Sequence, residues 1–312
     1  MDNVIISHEY LHYLKNKREG SHGFIAIKLD MSKTYDRVEW GYLKAIMLKL
    51  GFCDKWINWI MECITTTSFS FNINGEPKGY VIPSRGIRQG DPLSPYLFLL
   101  ISEGFSNLLD QAERSKRLIG LKISRTGRSI THLLFADGSL VFCKADKKQA
   151  QEVIGILKTY EKGSGQVINM EKSSLFFSRN VEMNEQRDIC SSLESIQVVK
   201  QGKYLGLPMV VTRTKHQIFG FIRDKCQKII SNWSNKPLSQ AGKEVLLKAI
   251  TLAMPTYAMS CFKLPVRLCK EINSLMARFW WGEENGKRKV HWCSWKKMTT
   301  AKNTRGIGFK DL

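Results

Sequence analysis

Two apolar runs that each lead into an aspartate constrain the fold more than any other feature of this sequence. Residues 24–30 read FIAIKLD, and residues 133–142 read LLFADGSLVF. Short runs of apolar and β-branched residues predict buried strands. An Asp-Gly pair between two such runs predicts a tight hairpin with Asp137 and Gly138 at its two central positions. Carboxylates at the ends of neighbouring strands can converge on one point, so Asp30 and Asp137 form a candidate site.

The two aspartates suit one kind of chemistry. Mg²⁺ binds through one or two carboxylates together with substrate phosphates and waters. Two such ions about 4 Å apart can activate a 3′-hydroxyl and stabilise a leaving pyrophosphate. The spacing has a simpler interpretation too, in which Asp30 caps a strand end and Asp137-Gly138 is only a turn. The carboxylates by themselves leave both interpretations open.

Periodicity predicts a mixed α+β body up to about residue 210. Helices are predicted from Trp40 to Leu50, from an N-cap at Asp54 with Ile57, Ile60, Met61 and Ile64 inward, from an N-cap at Ser94 with Pro95 following, and near residues 147–160. Strands are predicted at 69–73 before an Asn74-Gly75 turn, within 119–143 and near 173–178. Residues 83–92 are predicted to form a loop.

From about residue 211 the pattern becomes helical. Three apolar stripes predict three helices, namely Ile218, Phe221, Ile222, Ile229 and Trp233, then Val245, Leu246, Ala249, Ile250 and Leu252, then Leu268, Ile272, Leu275, Met276 and Phe279. This lobe is strongly basic, because residues 201–312 hold 21 of the 48 Lys and Arg residues but only 6 of the 28 acidic ones. A basic lobe is typical of a surface that follows a polyphosphate backbone. A generally basic protein or a binder of anionic membranes would show the same charge.

Other features limit the class of protein. The sequence has no apolar run of membrane-spanning length and no signal peptide. The eight cysteines include no Cys-x-x-Cys pair, which indicates reduced thiols, and the single His and Cys in residues 291–293 are too few for a structural zinc site. The sequence therefore predicts a soluble, intracellular protein of the nucleus or cytoplasm.

Five segments occur in a set order along the chain. They are KLDMSKTYDRV at 28–38, RGIRQGDPLSP at 85–95, HLLFADGS at 132–139, the Ser164-Gly165, Asn169 and Lys172-Ser173 positions, and YLGLP at 204–208, with FWWG at 279–282 after them. Each segment alone is weak, but the ordered set resembles the reverse transcriptases of plant LINE-type (non-LTR) retrotransposons. The resemblance implies an α+β reverse-transcriptase palm, an antiparallel sheet with packed helices, followed by a helical thumb. It implies a palm with a remnant of the fingers at 1–210, a thumb at 211–281, and the start of a truncated C-terminal extension at 282–312.

The resemblance also implies a role for each matching residue. The activity would be RNA-directed DNA synthesis on an RNA template and a DNA primer, with deoxynucleoside triphosphates as substrates and two Mg²⁺ ions as cofactors. Asp30, Asp137 and the backbone carbonyl of Met31 would hold the metal, and Lys172 would donate a proton to pyrophosphate. Tyr35 would lie under the incoming sugar, and the template–nucleotide pair would be held by Arg88, Gln89 and Gly90. The primer terminus would be positioned by Tyr204, Leu205 and Gly206.

Several of these residues, and four tryptophans near the C-terminus, have a plainer structural interpretation. Tyr35 suits an aromatic core position, and Lys172 suits a solvated surface. The 204–206 segment suits an ordinary turn. Trp280, Trp281, Trp292 and Trp295 suit core packing better than stacking on bases.

The sequence departs from the family at Gly138, where a second aspartate is expected. Loss of a carboxylate would weaken metal binding and misplace the primer hydroxyl, without harm to an Asp-Gly turn. The chain also starts just upstream of the first catalytic segment, so most of the fingers are expected to be missing. Three hypotheses remain open: a weakly active or inactive reverse transcriptase, a non-catalytic nucleic-acid-binding protein similar to a maturase, and a retroelement fragment without function.

Overall fold

The chain divides into two compact units in the computed structural model. The first unit comprises Ile6–Leu205, and the second comprises Met1–Ile5 with Gly206–Leu312. The structure describes residues 1–124, 126–193, 196–199, 202–211, 214–234, 236–284 and 287–312, with the side chains of residues 283–288 outside the description. No helix in these ranges is long and apolar enough to span a membrane.

The first unit combines helices with a mainly antiparallel sheet. Its helices are α1 (Asp2–Asn16, which begins in the second unit), α2 (Trp40–Lys49), α3 (Asp54–Thr65), α4 (Ser94–Arg114), α5 (Lys147–Ser164) and α6 (Met183–Ser192). Its strands are β1 (Phe24–Ser32), β2 (Phe69–Ile73), β3 (Glu76–Val81), β4 (His132–Phe135), β5 (Gly138–Lys144), β6 (Val167–Ile168), β7 (Ser174–Phe177), β8 (Gln197–Val198) and β9 (Lys203–Tyr204). The main sheet has the order β4-β5-β1-β7-β8, β6 also pairs with β1, and only the β7–β8 pair is parallel. The prediction of an α+β body with an antiparallel sheet is confirmed.

Strand β1 lies at the centre of the sheet, between β5 and β7, and both of its faces are covered. Ile27 pairs with Val141 of β5 on one side and with Leu175 of β7 on the other. These three residues share one core with apolar residues of α2, α4 and α5. On the opposite face Phe142 is fully buried, and its ring lies 5.5 Å from that of Tyr10 in α1. Burial on both faces explains why β1 is apolar almost throughout instead of alternating.

Local signals gave the elements correctly and some of their ends incorrectly. The Asn74-Gly75 turn joins β2 to β3 as predicted, with φ of 54° and 89°. Both φ values are positive, as a type I′ turn requires. The predicted caps at Asp54 and Ser94 are wrong by one residue, because both residues already lie inside their helices. Ahead of α4 the Asp91 carboxylate instead accepts a hydrogen bond from the N–H of Leu93.

The second unit is mainly helical. It contains β10 (Leu207–Pro208), α7 (Lys215–Ser234), α8 (Gln240–Leu246), a π-helical turn (Leu247–Thr251), α9 (Thr256–Cys261), α10 (Val266–Trp281), β11 (Glu283–Glu284), β12 (Lys287–Arg288), α11 (Trp295–Met298) and a 3₁₀ turn (Lys302–Thr304). The helices confirm the change of pattern after residue 211.

Two of the three predicted apolar stripes point in a different direction. In α7 the buried residues are Phe219, Ile222, Cys226 and Ile230, so the predicted face is wrong by about one position. The reason is that α7 carries two adjacent apolar stripes, and packing against α10 selects one of them. In the second helix the π-helical turn adds a residue to the turn and rotates the face. Val245, which precedes this turn, is 63% exposed, whereas Leu247 at its start is fully buried, so the predicted face is wrong here too.

Tryptophans of the second unit divide between core and surface. Trp280 is buried, and Phe309 lies between it and Trp295, with ring centroids 5.3 and 5.1 Å away. The core interpretation therefore holds for Trp280. It is wrong for Trp292, which is 84% exposed.

The predicted loop at 83–92 is fastened to the segment that follows β1. The N–H of Gly86 donates to the carbonyl of Val38 at 2.8 Å, and the indole N–H of Trp40 donates to the carbonyl of Gly86 at 2.7 Å. Gly86 has φ of 92°, and a Cβ atom there would lie 2.9 Å from the carbonyl oxygen of Asp36. Only glycine permits this approach without a backbone shift.

Gly86→Ala and Gly90→Ala separate these two demands on glycine. Gly90 has nearly the same φ, 91°, but a Cβ atom there meets no atom within 4 Å. We expect each alanine to lower the free energy of unfolding by about 1 kcal/mol through the left-handed backbone. Gly86→Ala should lose about 1–3 kcal/mol more, because Asp36 must move. Urea unfolding measures both values, and equal losses would disprove the close approach.

His132 lies in β4 between two hydroxyl groups. Its Nε2 is 2.8 Å from the Oγ of Ser106, and its Nδ1 is 2.9 Å from the Oγ1 of Thr131. Burial lowers the pKa of the imidazole below its ordinary value, against the opposing effect of the carboxylates of Asp110, Glu113 and Glu103. The folded state therefore favours the neutral imidazole.

Stability should consequently fall on mild acidification. The unfolded chain takes up a proton on this histidine near pH 6.5, whereas the folded chain resists it, so the stabilisation is complete above about pH 6.5 and is lost below it. We expect His132→Gln to reduce the shift in the urea midpoint between about pH 7.5 and about pH 5.5. An unchanged shift in His132→Gln would assign the acid sensitivity to other groups.

Candidate functional site

The turn between β4 and β5 differs from the predicted one. Phe135 pairs with Gly138, so the two central residues are Ala136 and Asp137. Ala136 has φ of 48°, whereas the φ of Gly138 is not positive. The prediction of Asp137-Gly138 at the centre is wrong by one residue, because Gly138 is already the first residue of β5 and pairs with Asp30. A left-handed non-glycine residue is uncommon and is often found at functional sites.

Backbone pairing brings the two candidate carboxylates to the same end of the sheet. Asp30 lies opposite Gly138 in the β1–β5 register. One residue further along, the N–H of Met31 donates to the carbonyl of Asp137 at 3.2 Å. Asp30 is half-buried and Asp137 is exposed. The expected convergence of these two strand ends is therefore present in the backbone.

Residues 169–173 hold the backbone of Asp30 from its other side. The carbonyl of Asp30 accepts a hydrogen bond from the N–H of Asn169 at 2.7 Å, and its N–H donates to the Oγ of Ser173 at 3.2 Å. The Ser173 hydroxyl in turn donates to the carbonyl of Asn169 at 2.7 Å. Lys172 lies in this loop with an exposed side chain. Sequence reasoning assigned no role to Ser173. Its role emerges only from the structure, in which Ser173 is buried beside Asp30.

Gly138 has room for a side chain. A Cβ atom there would lie 3.6 Å from the carbonyl oxygen of Phe135, 3.7 Å from the Cδ2 of Leu205 and 3.9 Å from the Cε2 of Tyr204. These are ordinary van der Waals distances, and the backbone does not require glycine. The structure thus brings Tyr204 and Leu205 beside the position where the sequence departs from the family. Leu205 and Gly206 form a turn with φ of 50° and 78°.

Tyr35 has the partly buried position that both of its interpretations require. Its ring stacks on Phe98 with centroids 5.5 Å apart, and its carbonyl accepts a hydrogen bond from the N–H of Ile87 at 2.9 Å. The stacking ties the segment after β1 to α4, and the hydrogen bond ties it to the 83–92 loop. Tyr35 is therefore at least a packing residue.

Arg88 and Gln89 line a cavity of about 440 Å³ in the first unit. The guanidinium of Arg88 lies over the ring of Phe69, 6.0 Å from its centroid. Gly90 follows in the same loop and needs glycine for its positive φ alone. The volume of this cavity lies within the usual range for ligand pockets, about 300–1,000 Å³.

The ligand atoms at the strand ends are of the type that a hard cation prefers, but few side chains there can supply them. Two carboxylates, from Asp30 and Asp137, and the carbonyl of Met31 are oxygen donors, which Mg²⁺ prefers. Within the described ranges, no three His, Cys, Asp or Glu side chains group together to hold a metal ion. Position 138, where the sequence predicts a departure from the family, carries glycine and adds no side-chain oxygen.

Comparison with known proteins shows the family. The family model of reverse transcriptase (RNA-dependent DNA polymerase) matches residues 5–209. An uncharacterized mitochondrial protein of Arabidopsis thaliana is 57% identical over 67 residues, 22% of this chain and 55% of that protein. The retrovirus-related Pol polyprotein from type-1 retrotransposable element R2 of Popillia japonica is 24% identical over 86% of this chain and 43% of its own length. Among solved structures, apo telomerase from Candida tropicalis has a TM-score of 0.46 at 16% identity, covering 66% of this chain and 37% of that one.

This chain spans about half or less of the length of the relatives that it matches. The family match itself covers more than half of the chain and includes Asp30, Tyr35, the 83–92 loop, Asp137 and residues 204–206. The protein therefore belongs to the reverse transcriptase (RNA-dependent DNA polymerase) family, as a domain of the LINE-type, non-LTR retrotransposon kind.

Proposed function

We propose that this domain is an RNA-directed DNA polymerase whose catalysis is weakened by the glycine at position 138. The observation that supports this most is the meeting of three elements at one end of the sheet: Asp30, the turn that carries Asp137, and the side chains of Tyr204 and Leu205 beside Gly138. In this proposal residues 1–210 are the palm with part of the fingers, residues 211–281 the thumb and residues 282–312 a C-terminal extension.

Asp30, Asp137 and the carbonyl of Met31 would hold Mg²⁺. When bound, the metal lowers the energy of in-line attack by a primer hydroxyl on a deoxynucleoside triphosphate. The Ser173 hydroxyl keeps the backbone of Asp30 in place by accepting its N–H. Lys172, in the same loop, would give a proton to the leaving pyrophosphate.

The remaining residues would bind the substrates. Tyr35 would lie under the sugar of the incoming deoxynucleotide, and Arg88, Gln89 and Gly90 would hold its pair with the RNA template, for which the cavity beside Phe69 offers space. Tyr204, Leu205 and Gly206 would position the end of the DNA primer. The basic helices of residues 211–281 would grip the duplex through its phosphates.

A second function is favoured by the same end of the sheet. With no third carboxylate grouped there within the described residues, metal and triphosphate charge would be poorly balanced. A non-catalytic nucleic-acid-binding protein would keep the fold and the basic lobe without needing this balance. The two functions differ in primer extension.

Gly138→Asp should restore extension. The site accepts a Cβ atom at van der Waals distances, so the added carboxylate costs little in folding and supplies the missing ligand. Because small misplacements of reacting groups cost about 100-fold in rate, we expect a gain on the order of 100-fold over the native chain. Single-nucleotide incorporation on an RNA template with a DNA primer, in Mg²⁺, measures it.

Gly138→Asn is the matched control, because asparagine has the shape of aspartate without its charge. It should extend no better than the native chain, and Asp137→Ala added to Gly138→Asp should remove the gain. Native extension as fast as that of Gly138→Asp would contradict the weakened site. Tight primer–template binding without extension by either protein would favour the non-catalytic function.

A further inference from the structure

The second unit contains a groove formed by two adjoining cavities. One, of about 730 Å³, lies along α7 and α10. The other, of about 660 Å³, continues toward the ends of these helices. Gln227, Leu275 and Arg278 line both cavities, so the two are continuous. We call this surface the α7–α10 groove. It lies on two of the basic helices that the proposed function assigns to the duplex, and it holds none of the residues proposed to bind the metal, the nucleotide or the primer end.

Positive charge dominates the first cavity. Its ionisable residues are Arg223, Arg267, Lys270, Glu271 and Arg278. The Glu271 carboxylate accepts hydrogen bonds from Arg223 at 3.3 Å and from Arg267 at 3.2 Å. Arg223 also pairs with Asp224 at 2.7 Å, so two carboxylates offset Arg223 and Arg267, while Lys270 and Arg278 give the cavity an excess of positive charge. Such an excess attracts an anionic ligand.

Arg278 stands at the junction of the two cavities. Its Nε is buried, and no hydrogen-bond acceptor within the described residues reaches it. A buried donor without an acceptor is costly, and nearly all such groups in folded proteins are satisfied. The planar guanidinium matches phosphate oxygens in geometry. A phosphate at this junction would supply the acceptor.

The second cavity adds aromatic rings to positive charge. Trp233, Phe279 and Trp281 line it together with Lys236 and Lys243. Trp281 is half-buried and stacks on His291 with centroids 5.9 Å apart, so its indole is already held in place. A fixed aromatic ring beside a basic groove is the arrangement on which the bases of single strands stack.

We propose that the α7–α10 groove binds a single strand of nucleic acid, with phosphates at Lys270 and Arg278 and an unpaired base on Trp281. The rings distinguish this ligand from a duplex, whose bases present no free face to a side chain. They also distinguish it from an acidic peptide, which would use the cations alone. The site goes beyond polymerisation, because it would bind a strand whether or not the polymerase site is active.

Binding of a labelled single strand of roughly 12 nucleotides, followed by fluorescence anisotropy, tests the groove. The full chain carrying Lys270→Gln and Arg278→Gln should bind at least about tenfold more weakly. The slope of log affinity against log salt should fall by about 1.4, since each single-strand phosphate contact contributes about 0.7. Lys225→Gln with Lys228→Gln is the matched control. It removes the same charge from exposed positions of α7 outside both cavities and should change binding much less.

Trp281 variants test the base contact separately. Trp281→Leu should weaken single-strand binding about tenfold, in the range of one lost base stack, while Trp281→Phe keeps a ring and most of the affinity. Trp292→Leu removes an exposed indole outside the groove and should have no effect. Thermal unfolding of each variant distinguishes lost contact from lost fold.

Three outcomes would overturn the proposal. They are equal weakening by the α7 control pair, a loss of duplex binding in the Lys270→Gln, Arg278→Gln chain as large as its loss of single-strand binding, and binding of polyglutamate that depends equally on Arg278. Asp137→Ala should leave single-strand binding unchanged. Failure of the groove and failure of the polymerase proposal are thus distinguishable.

Discussion

Antiparallel pairing of β1 with β5, in a register that sets Asp30 opposite Gly138, is the constraint on which the first unit depends. The pairing is held by a core in which the central residues of both strands are fully buried. A slip of one residue would exchange the side chains that β1 presents to its two buried faces and disrupt the packing on both. The same register carries the Asp137 turn to the end of β1. Core packing and the geometry of the carboxylates are therefore one property.

This coupling explains how the fold can be intact even where, as proposed above, catalysis is weakened. Gly138 is a strand residue with ordinary backbone and free space around its Cα, so nothing in folding calls for glycine. At Gly86, by contrast, both the positive φ and the contact with Asp36 require it. The backbone therefore requires glycine at position 86 but not at position 138. Gly86 maintains the loop beside β1, whereas Gly138 stands where the resemblance to LINE-type reverse transcriptases leads us to expect an aspartate.

In the second unit, basic side chains far outnumber acidic ones. Phe309 inserts between Trp280 and Trp295, and Lys248 donates to the carbonyl of Ile307 at 2.7 Å. Residues near the C-terminus are thereby part of the same compact unit as the helices. Within the described residues, the buried Nε of Arg278 has no hydrogen-bond partner. A role in binding anions is consistent with the position of Arg278 in the α7–α10 groove.

The sequence by itself determined the strands, the helices, the ordered motifs and the basic lobe, because apolar period, Asn-Gly turns and charge are local properties. It placed Asp137 at a hairpin tip, but the central residues of that turn were decided by the pairing of Gly138 with Asp30. It predicted one apolar stripe on α7, and packing against α10 buries a face about one position away from it. Ser173 as the partner of Asp30, and Arg278 at the junction of two cavities, bring together residues far apart in the chain. Such contacts depend on the tertiary structure, since no local pattern records which distant groups will meet.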